Sequence, residues 1–325
     1  MARDLVSNRL VTVFGGSGFI GRHVVRALAE EGWLVRNACR RPDLAQHLQP
    51  LGAVGQIVSV QANIRDQASV EAAIAGADAV VNLVAILHES GRQTFEDVHV
   101  EGARRIAEAA ARAGVENFVH ISAIGADTAS PSAYARTKAL GEQEVLKVIP
   151  GAIILRPSVV FGPQDDFLNR FASLARFTPA LPLIGGGATR FQPVFAGDVA
   201  DAVAAALAGD AAPGTVYELG GPDVLSFREI LEYILKVTGR SRFLVPLPFT
   251  VAKFQASLLE LLPKPLLTVD QVKLLQSDNV VSEAAVKEGR TLDHFGVRPT
   301  AMEAVVPSYL YRFRKAGEFT DMPAF

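Results

Sequence analysis

The sequence predicts an α/β fold: a doubly wound parallel sheet followed by a smaller, mostly helical C-terminal domain. Three observations predict it. Strand-length apolar runs alternate with helix-length amphipathic runs through the first half of the chain. The stretch "VTVFGGSGFIGRHVV" (Val11–Val25) passes from strand to helix through Gly15, Gly18 and Gly21. After Gly162 the rhythm breaks, and beyond Pro222 the chain is helical and proline-punctuated. The expected division is residues 1–221 and 222–325, with 163–196 contributing to a substrate cleft and to the second domain.

The elements follow in order. Leu10–Phe14 is the first strand, and its helix runs from about Gly18 to Gly32. Leu34–Cys39 is the second strand, and a third ends near Gln61. "ADAVVNLVA" is the fourth. "EDVHVEGARRIAEAAARAG" is a long helix closed by Gly114. "ENFVHISAIG" is the fifth strand. The next helix opens with Ser130 as N-cap and Pro131 at its first position. "AIILRPSVVFG" is the sixth strand. "LPLIGGGATRFQPVFAGDVADAVAAAL" supplies a glycine turn, a short strand and a helix, and "GTVYELGG" adds one more strand to the main sheet.

Composition excludes several classes of function. A chain of 325 residues buries a sizeable core, and a formal net charge of −2 gives no global reason to expect nucleic acid. Cys39 is the only cysteine, so an intrachain disulfide or thiolate metal cluster is impossible and a reducing compartment is expected. The six histidines show no metal-ligand spacing, so no metal is expected. "MARDLVSNRL" has no apolar core of a signal peptide, and no apolar run is long enough for a transmembrane segment.

The glycine stretch carries the first functional expectation. Gly15 permits a tight turn, Gly18 lets backbone approach a pyrophosphate, and Gly21 lets helix and sheet pack closely. The helix N-terminus then meets the phosphates with its positive dipole end. The second strand ends in "NACRRPD", where Arg40 and Arg41 stand and no carboxylate comes before Asp43. Guanidinium groups there suit a ribose 2′-phosphate, so the expected cofactor is NADPH. A solvated basic turn is the alternative.

The Gly15-x-x-Gly18-x-x-Gly21 spacing and the later "YARTK" resemble the extended and atypical short-chain dehydrogenase/reductases over most of residues 8–220. The resemblance implies a Rossmann-type NADP-binding domain. It implies Gly15, Gly16, Ser17, Gly18, Phe19, Ile20 and Gly21 around the phosphates, and Asn63 and Ile64 beside the adenine. Leu83, Val84 and Ala85 would line the cofactor, and Pro157 would meet the nicotinamide. Tyr134 and Lys138 share a helical face, where an ammonium lowers the pKa of a phenol, and Ser122 falls where the family has a substrate-orienting serine. The chain has His99 where the family has an asparagine, and Ala123 follows Ser122. The site is therefore degenerate, with Tyr134 and Lys138 either catalytic or only holding the cofactor. His88 and His99 are further acid/base candidates.

Asp165–Val203, Leu261–Val281 and "EDVHVEGARRIAEAA" together are similar to the NADPH-binding accessory subunits of respiratory complex I, in a bacterial form. That resemblance implies a nucleotide held structurally and a role in assembly or stability. The implied partners are other subunits of complex I near the junction of its peripheral and membrane arms. The implied location is the cytoplasmic face of the bacterial inner membrane. The alternative is a soluble NADPH-dependent reductase of a small carbonyl or alkene. Val251, Phe254, Leu258 and Leu261 or Leu262 make an apolar helical stripe. It meets a partner subunit, lies against lipid in a peripheral membrane contact, or covers its own domain's core.

Overall fold

The computed structural model describes residues 8–262 and 265–319. The opening segment read for targeting signals lies largely outside them, as do Pro263 and Lys264 of the Leu261–Val281 stretch. The chain forms two compact units. One holds the residues up to Pro157, Ala196–Leu219 and Ser282–Arg298. The other holds Ser158–Phe195, Gly220–Val281 and the residues from Pro299 on.

The first unit is built on seven parallel strands: β1 (Leu10–Phe14), β2 (Leu34–Cys39), β3 (Ile57–Gln61), β4 (Ala79–Asn82), β5 (Asn117–Ile121), β6 (Ile153–Pro157) and the strand Val216–Leu219. Their spatial order is Val216–Leu219, β6, β5, β4, β1, β2, β3. β1 pairs with β2 from Leu10↔Leu34 and with β4 from Val11↔Ala79, so the strand order reverses between β1 and β4. Ligands bind at such switch points, beyond the carboxyl ends of the strands.

Helices cover both faces of the sheet. α1 (Phe19–Glu30) buries Val24, Val25 and Leu28 and packs on the helix Ala196–Ala205. On the other face α2 (Gln67–Ile74), α3 (Gly102–Arg112) and α4 (Ala133–Val148) bury Val70, Ile74, Ile106 and Val145 around Phe14, Phe118 and Ile154. A wide helical turn, Glu96–Glu101, leads into α3. Residues 282–298 return to the Val216–Leu219 strand. There the Ser282 N–H donates to the Glu218 carboxylate at 2.7 Å, and the Tyr217 hydroxyl meets His294 Nε2 at 3.0 Å.

Local chemistry departs from the sequence reading in three places. The α4 N-cap is Ser132, not Ser130: its Oγ accepts from the Ala135 N–H at 3.2 Å, while Ser130 Oγ accepts from the Ser132 N–H in the preceding turn. Pro131 therefore precedes the helix. The sixth strand ends at Pro157, and Val160–Phe161 pairs instead with Val194–Phe195 in the second unit. α2 has no counterpart in the sequence reading. Asp66 caps it, accepting from the Ala68 N–H.

The second unit closes around Leu168, Leu181, Leu183, Phe227, Ile230, Ile234 and Leu310. Helix Phe227–Thr238 opens with a Ser226/Glu229 capping box and ends at left-handed Gly239. The segment after Thr268 braces this unit. Asn279 Oδ1 accepts from Ser158 Oγ at 2.8 Å and from the Val159 N–H at 2.9 Å, and the Asp278 carboxylate binds Arg190. The helix Phe249–Leu259 buries Ala252 and Ala256, while Val251, Phe254, Leu258, Leu261 and Leu262 are exposed. The apolar stripe thus does not cover the core of its own unit.

Candidate functional site

Six strand ends at the carboxyl edge of the main sheet, with the loops and the start of α1 that follow them, carry every residue proposed from the sequence except the helix pair and His99. The glycine loop comes after β1, Arg40 and Arg41 after β2, and Asn63 and Ile64 after β3. Leu83, Val84 and Ala85 come after β4, Ser122 after β5, and Pro157 ends β6. The fold brings them together because all these strands run in parallel.

The glycine loop is built to let backbone face outward. Gly15 has φ +85°, a conformation that side chains disfavour. A Cβ on Gly21 would lie 2.2 Å from the Gly15 carbonyl oxygen, and one on Gly16 would lie 2.6 Å from Asn37 Oδ1. A Cβ on Gly18 would meet only the Gly15 oxygen, at 3.2 Å, so Gly18 borders open space. Gly18 is also the α1 N-cap, with no side-chain cap and no acidic residue in the first turn. The first-turn N–H groups of Phe19 and Ile20 are thus left for an anion. Beside the loop, Asn37 is fully buried. Its Nδ2 donates to Ser59 Oγ at 2.9 Å, and its Oδ1 has no hydrogen-bond partner. Sequence reasoning misses Asn37 because nothing marks a polar residue in mid-strand as facing a loop.

The end of β4 is bound to that loop. The Leu83 N–H donates to the Phe14 carbonyl at 2.9 Å, and the Leu83 backbone lies against Gly15. Asn82 orders the turn beyond β4: its Oδ1 accepts from the Val84 N–H, and its Nδ2 donates to His120 Nδ1 at 3.1 Å. His120 therefore carries its proton on Nε2, which has no partner. Burial, then Lys138 and His99, holds its pKa well below the usual histidine value.

At the adenosine end both arginines are exposed and engaged. Arg40 donates to Gln93 Oε1 at 2.6 Å, and Arg41 makes a two-point contact with Asp43. The carboxylate that the sequence puts beyond Pro42 thus folds back onto Arg41. Nothing in the sequence pattern marks Asp43 or Gln93 as part of this site. Asn63 closes a turn, with Oδ1 accepting from the Arg65 N–H, and Ile64 packs on Gly102.

The helix pair sits against an aromatic cluster. The Tyr134 ring meets His99 edge-on at 5.3 Å and Phe95 at 6.0 Å, and Phe95 stacks on His99 at 5.4 Å. Gly141 of α4 makes the close approach possible, since a Cβ there would lie 2.1 Å from the His99 carbonyl oxygen. His99 Nε2 accepts from the Ile86 N–H at 3.1 Å, so its proton is on Nδ1, donated to Thr137 Oγ1 at 3.0 Å. Burial, then the Lys138 charge, brings its pKa down to about 3. Both ring nitrogens are committed, and His99 holds the Ile86 turn in place with no acid/base task left to it.

Lys138 is buried and donates to the Ile121 carbonyl at 2.6 Å; burial brings its pKa down to about 8. Burial also pushes the Tyr134 phenol up to about 12. The sequence predicts a phenol lowered by the ammonium; instead desolvation alone sets the direction, and it raises the phenol. Ser122 is buried with its Oγ lacking a hydrogen-bond partner. His88 lies half-buried in the loop after β4, apart from this network.

This arrangement has known counterparts. Residues 11–220 match the NAD dependent epimerase/dehydratase family. The chain belongs to that family. It is 36% identical to the NADH dehydrogenase (ubiquinone) 1 alpha subcomplex subunit 9 of Arabidopsis thaliana, over 97% of this chain and 80% of that protein. It is also 36% identical to the Mus musculus protein of the same name, over 96% and 82% respectively. The fold is similar to that of a dTDP-glucose 4,6-dehydratase from Streptomyces venezuelae solved with NAD and TYD. There the TM-score is 0.71 at 22% identity, covering 94% of this chain and 96% of that one. The uncapped α1 N-terminus, the open face of Gly18 and the orphaned Ser122 oxygen fit a bound dinucleotide. Gly15–Gly21 would hold its phosphates, and Tyr134 and Lys138 the nicotinamide ribose. When bound, the group supplies a transferable hydride.

Proposed function

We propose that this chain is an NADPH-binding accessory subunit of respiratory complex I, supporting assembly and stability with the nucleotide held structurally. The observation that carries this reading is the reach of the similarity: it covers nearly the whole chain and four-fifths of the Arabidopsis subunit, well past the nucleotide-binding half. In this reading Arg40 and Arg41 take the 2′-phosphate, and binding NADPH means that Arg41 exchanges Asp43 for it. Tyr134 and Lys138 hold the ribose, and His99 keeps the turn after β4 in place. The partners are complex I subunits near the junction of the peripheral and membrane arms, on the cytoplasmic face of a bacterial inner membrane, and the chain is a peripheral member.

The test is co-migration. The native protein should run on a native gel in the band that carries NADH:quinone activity, and deleting it should reduce that band. Migration as a free protein, with wild-type complex activity after deletion, refutes the reading. A second reading, a soluble NADPH-dependent reductase of a small carbonyl or alkene, draws on the unpartnered Ser122 Oγ. Its signature is repeated turnover of NADPH with such substrates, abolished by Tyr134→Phe.

A further inference from the structure

The second unit carries a basic, aromatic face that the nucleotide site does not use. The helix Phe167–Phe177 ends in Arg176 and Phe177, and the strand Phe243–Leu247 begins beside it, the Phe243 N–H donating to the Pro179 carbonyl at 3.1 Å. Phe177 is 78% exposed and Phe243 79%. Each follows an arginine directly, and the Arg176 guanidinium lies 5.4 Å from the Phe177 ring centre. Arg240 Nε donates to the Phe313 carbonyl, and Arg242 is anchored twice, by Nε to the Ala175 carbonyl and by a terminal nitrogen to that of Ser241. Arg314 is tied to the same corner through the Val237 carbonyl, next to exposed Lys315. None of these five cations is in an ion pair among the described residues. Burial, then the charges of Arg242 and Arg176, lowers the pKa of Arg240, whose guanidinium is repelled by both neighbours.

We propose that this face docks the chain onto an anionic phospholipid bilayer, with Phe177 and Phe243 entering the interface and Arg176, Arg240, Arg242, Arg314 and Lys315 meeting headgroup phosphates. Charge complementarity selects the occupant. Positive groups crowded together without a counter-charge, on a protein whose net charge is −2, make a local positive patch that attracts an external anion. Two exposed aromatic rings at the same corner select a surface with an apolar layer just beneath its charges. An acidic protein would satisfy the arginines and leave both rings in water.

The test is flotation of the full-length chain with vesicles of phosphatidylcholine, with and without phosphatidylglycerol, at low and high salt. Binding is expected only with phosphatidylglycerol and should weaken as salt screens it. Arg176→Glu should reduce binding at least about fivefold, from the loss of about 1 kcal/mol per basic group at such a surface. Phe243→Ser should also reduce it. Both side chains are exposed, so their thermal melts should match wild type. Phe254→Ser, on the separate apolar stripe, should leave binding unchanged. Absence of binding, or binding indifferent to both variants, overturns the proposal. So does loss of binding only in Phe254→Ser. Binding to polyglutamate with none to vesicles would assign the face to an acidic protein instead. Native-gel co-migration with complex I is independent of all these outcomes.

Discussion

At the scale of single residues, His99 shows how a side chain in a catalytic-looking position is spent on structure. Its Nε2 accepts from a backbone N–H and its Nδ1 donates to Thr137, so the neutral ring is the one the site requires. Its pKa is held to about 3 in the folded protein against 6.5 ordinarily. Between those values the unfolded chain carries a proton that the folded one lacks. The contribution is fully present above about pH 6.5 and is lost as pH falls toward 3, at up to about 1.4 kcal/mol per pH unit. Urea unfolding of His99→Gln should show a deficit against wild type at pH 8 that narrows at pH 5. A deficit that is constant or grows would remove His99 from this account. The second residue-scale prediction concerns Arg40, which is exposed and donates to Gln93. Arg40→Ala should weaken NADPH binding about tenfold or more, the worth of a charge-assisted hydrogen bond, and leave NADH nearly unchanged. Calorimetry in which both nucleotides weaken equally would show that Arg40 does not read the 2′-phosphate.

At the scale of elements, helix α4 makes the clearest test, because its start and its packing rest on different atoms. Ser132→Ala removes the cap oxygen from the Ala135 N–H and should cost about 1 kcal/mol, with Ser130→Ala costing less. Gly141→Ala drives a methyl group into the His99 carbonyl, a backbone atom that has no room to move, and should cost more than either. Thermal melts in the reverse order would refute this account of the helix. The same elements show what a sequence can reveal. The glycine loop is legible because close approach forbids Cβ atoms at fixed spacing, and the parallel sheet because its strands alternate with helices. The α4 start is displaced by two residues because Ser130, Pro131 and Ser132 all favour a helix start, and only geometry shows which oxygen reaches an N–H. α2 is short and alanine-rich, so it leaves little periodic signal. Asp43 reads as out of reach because spacing along the chain does not reveal that the turn after Pro42 points back at Arg41. Asn37 and Thr137 belong to the site through contacts between elements, which no local pattern records.

At the scale of the molecule, the candidate site is a set of separate strand ends held at one edge of the sheet. Gly15, Arg40, Asn63, Leu83, Ser122 and Pro157 come from segments far apart in the chain. A dinucleotide spanning them binds only the folded state and stabilises it by mass action, about 2.7 kcal/mol at a hundredfold excess over Kd. The unpartnered Ser122 oxygen and the open N-terminus of α1 are costs that a ligand can relieve. Gly18→Val separates ligand binding from folding. Gly18 has φ −77° and ψ −177°, which valine adopts, and its Cβ meets only the Gly15 oxygen, at 3.2 Å, so the glycine loop must give slightly at that one atom while the mouth of the site is filled. The variant should melt close to the nucleotide-free wild type, gain nothing from added NADPH, and assemble poorly into complex I in cells. Tyr134→Phe, which keeps the cradle, should still gain stability from NADPH and assemble normally. If Gly18→Val assembles as well as wild type while Tyr134→Phe abolishes a cellular reduction, the nucleotide is a reactant and the clamp role is wrong.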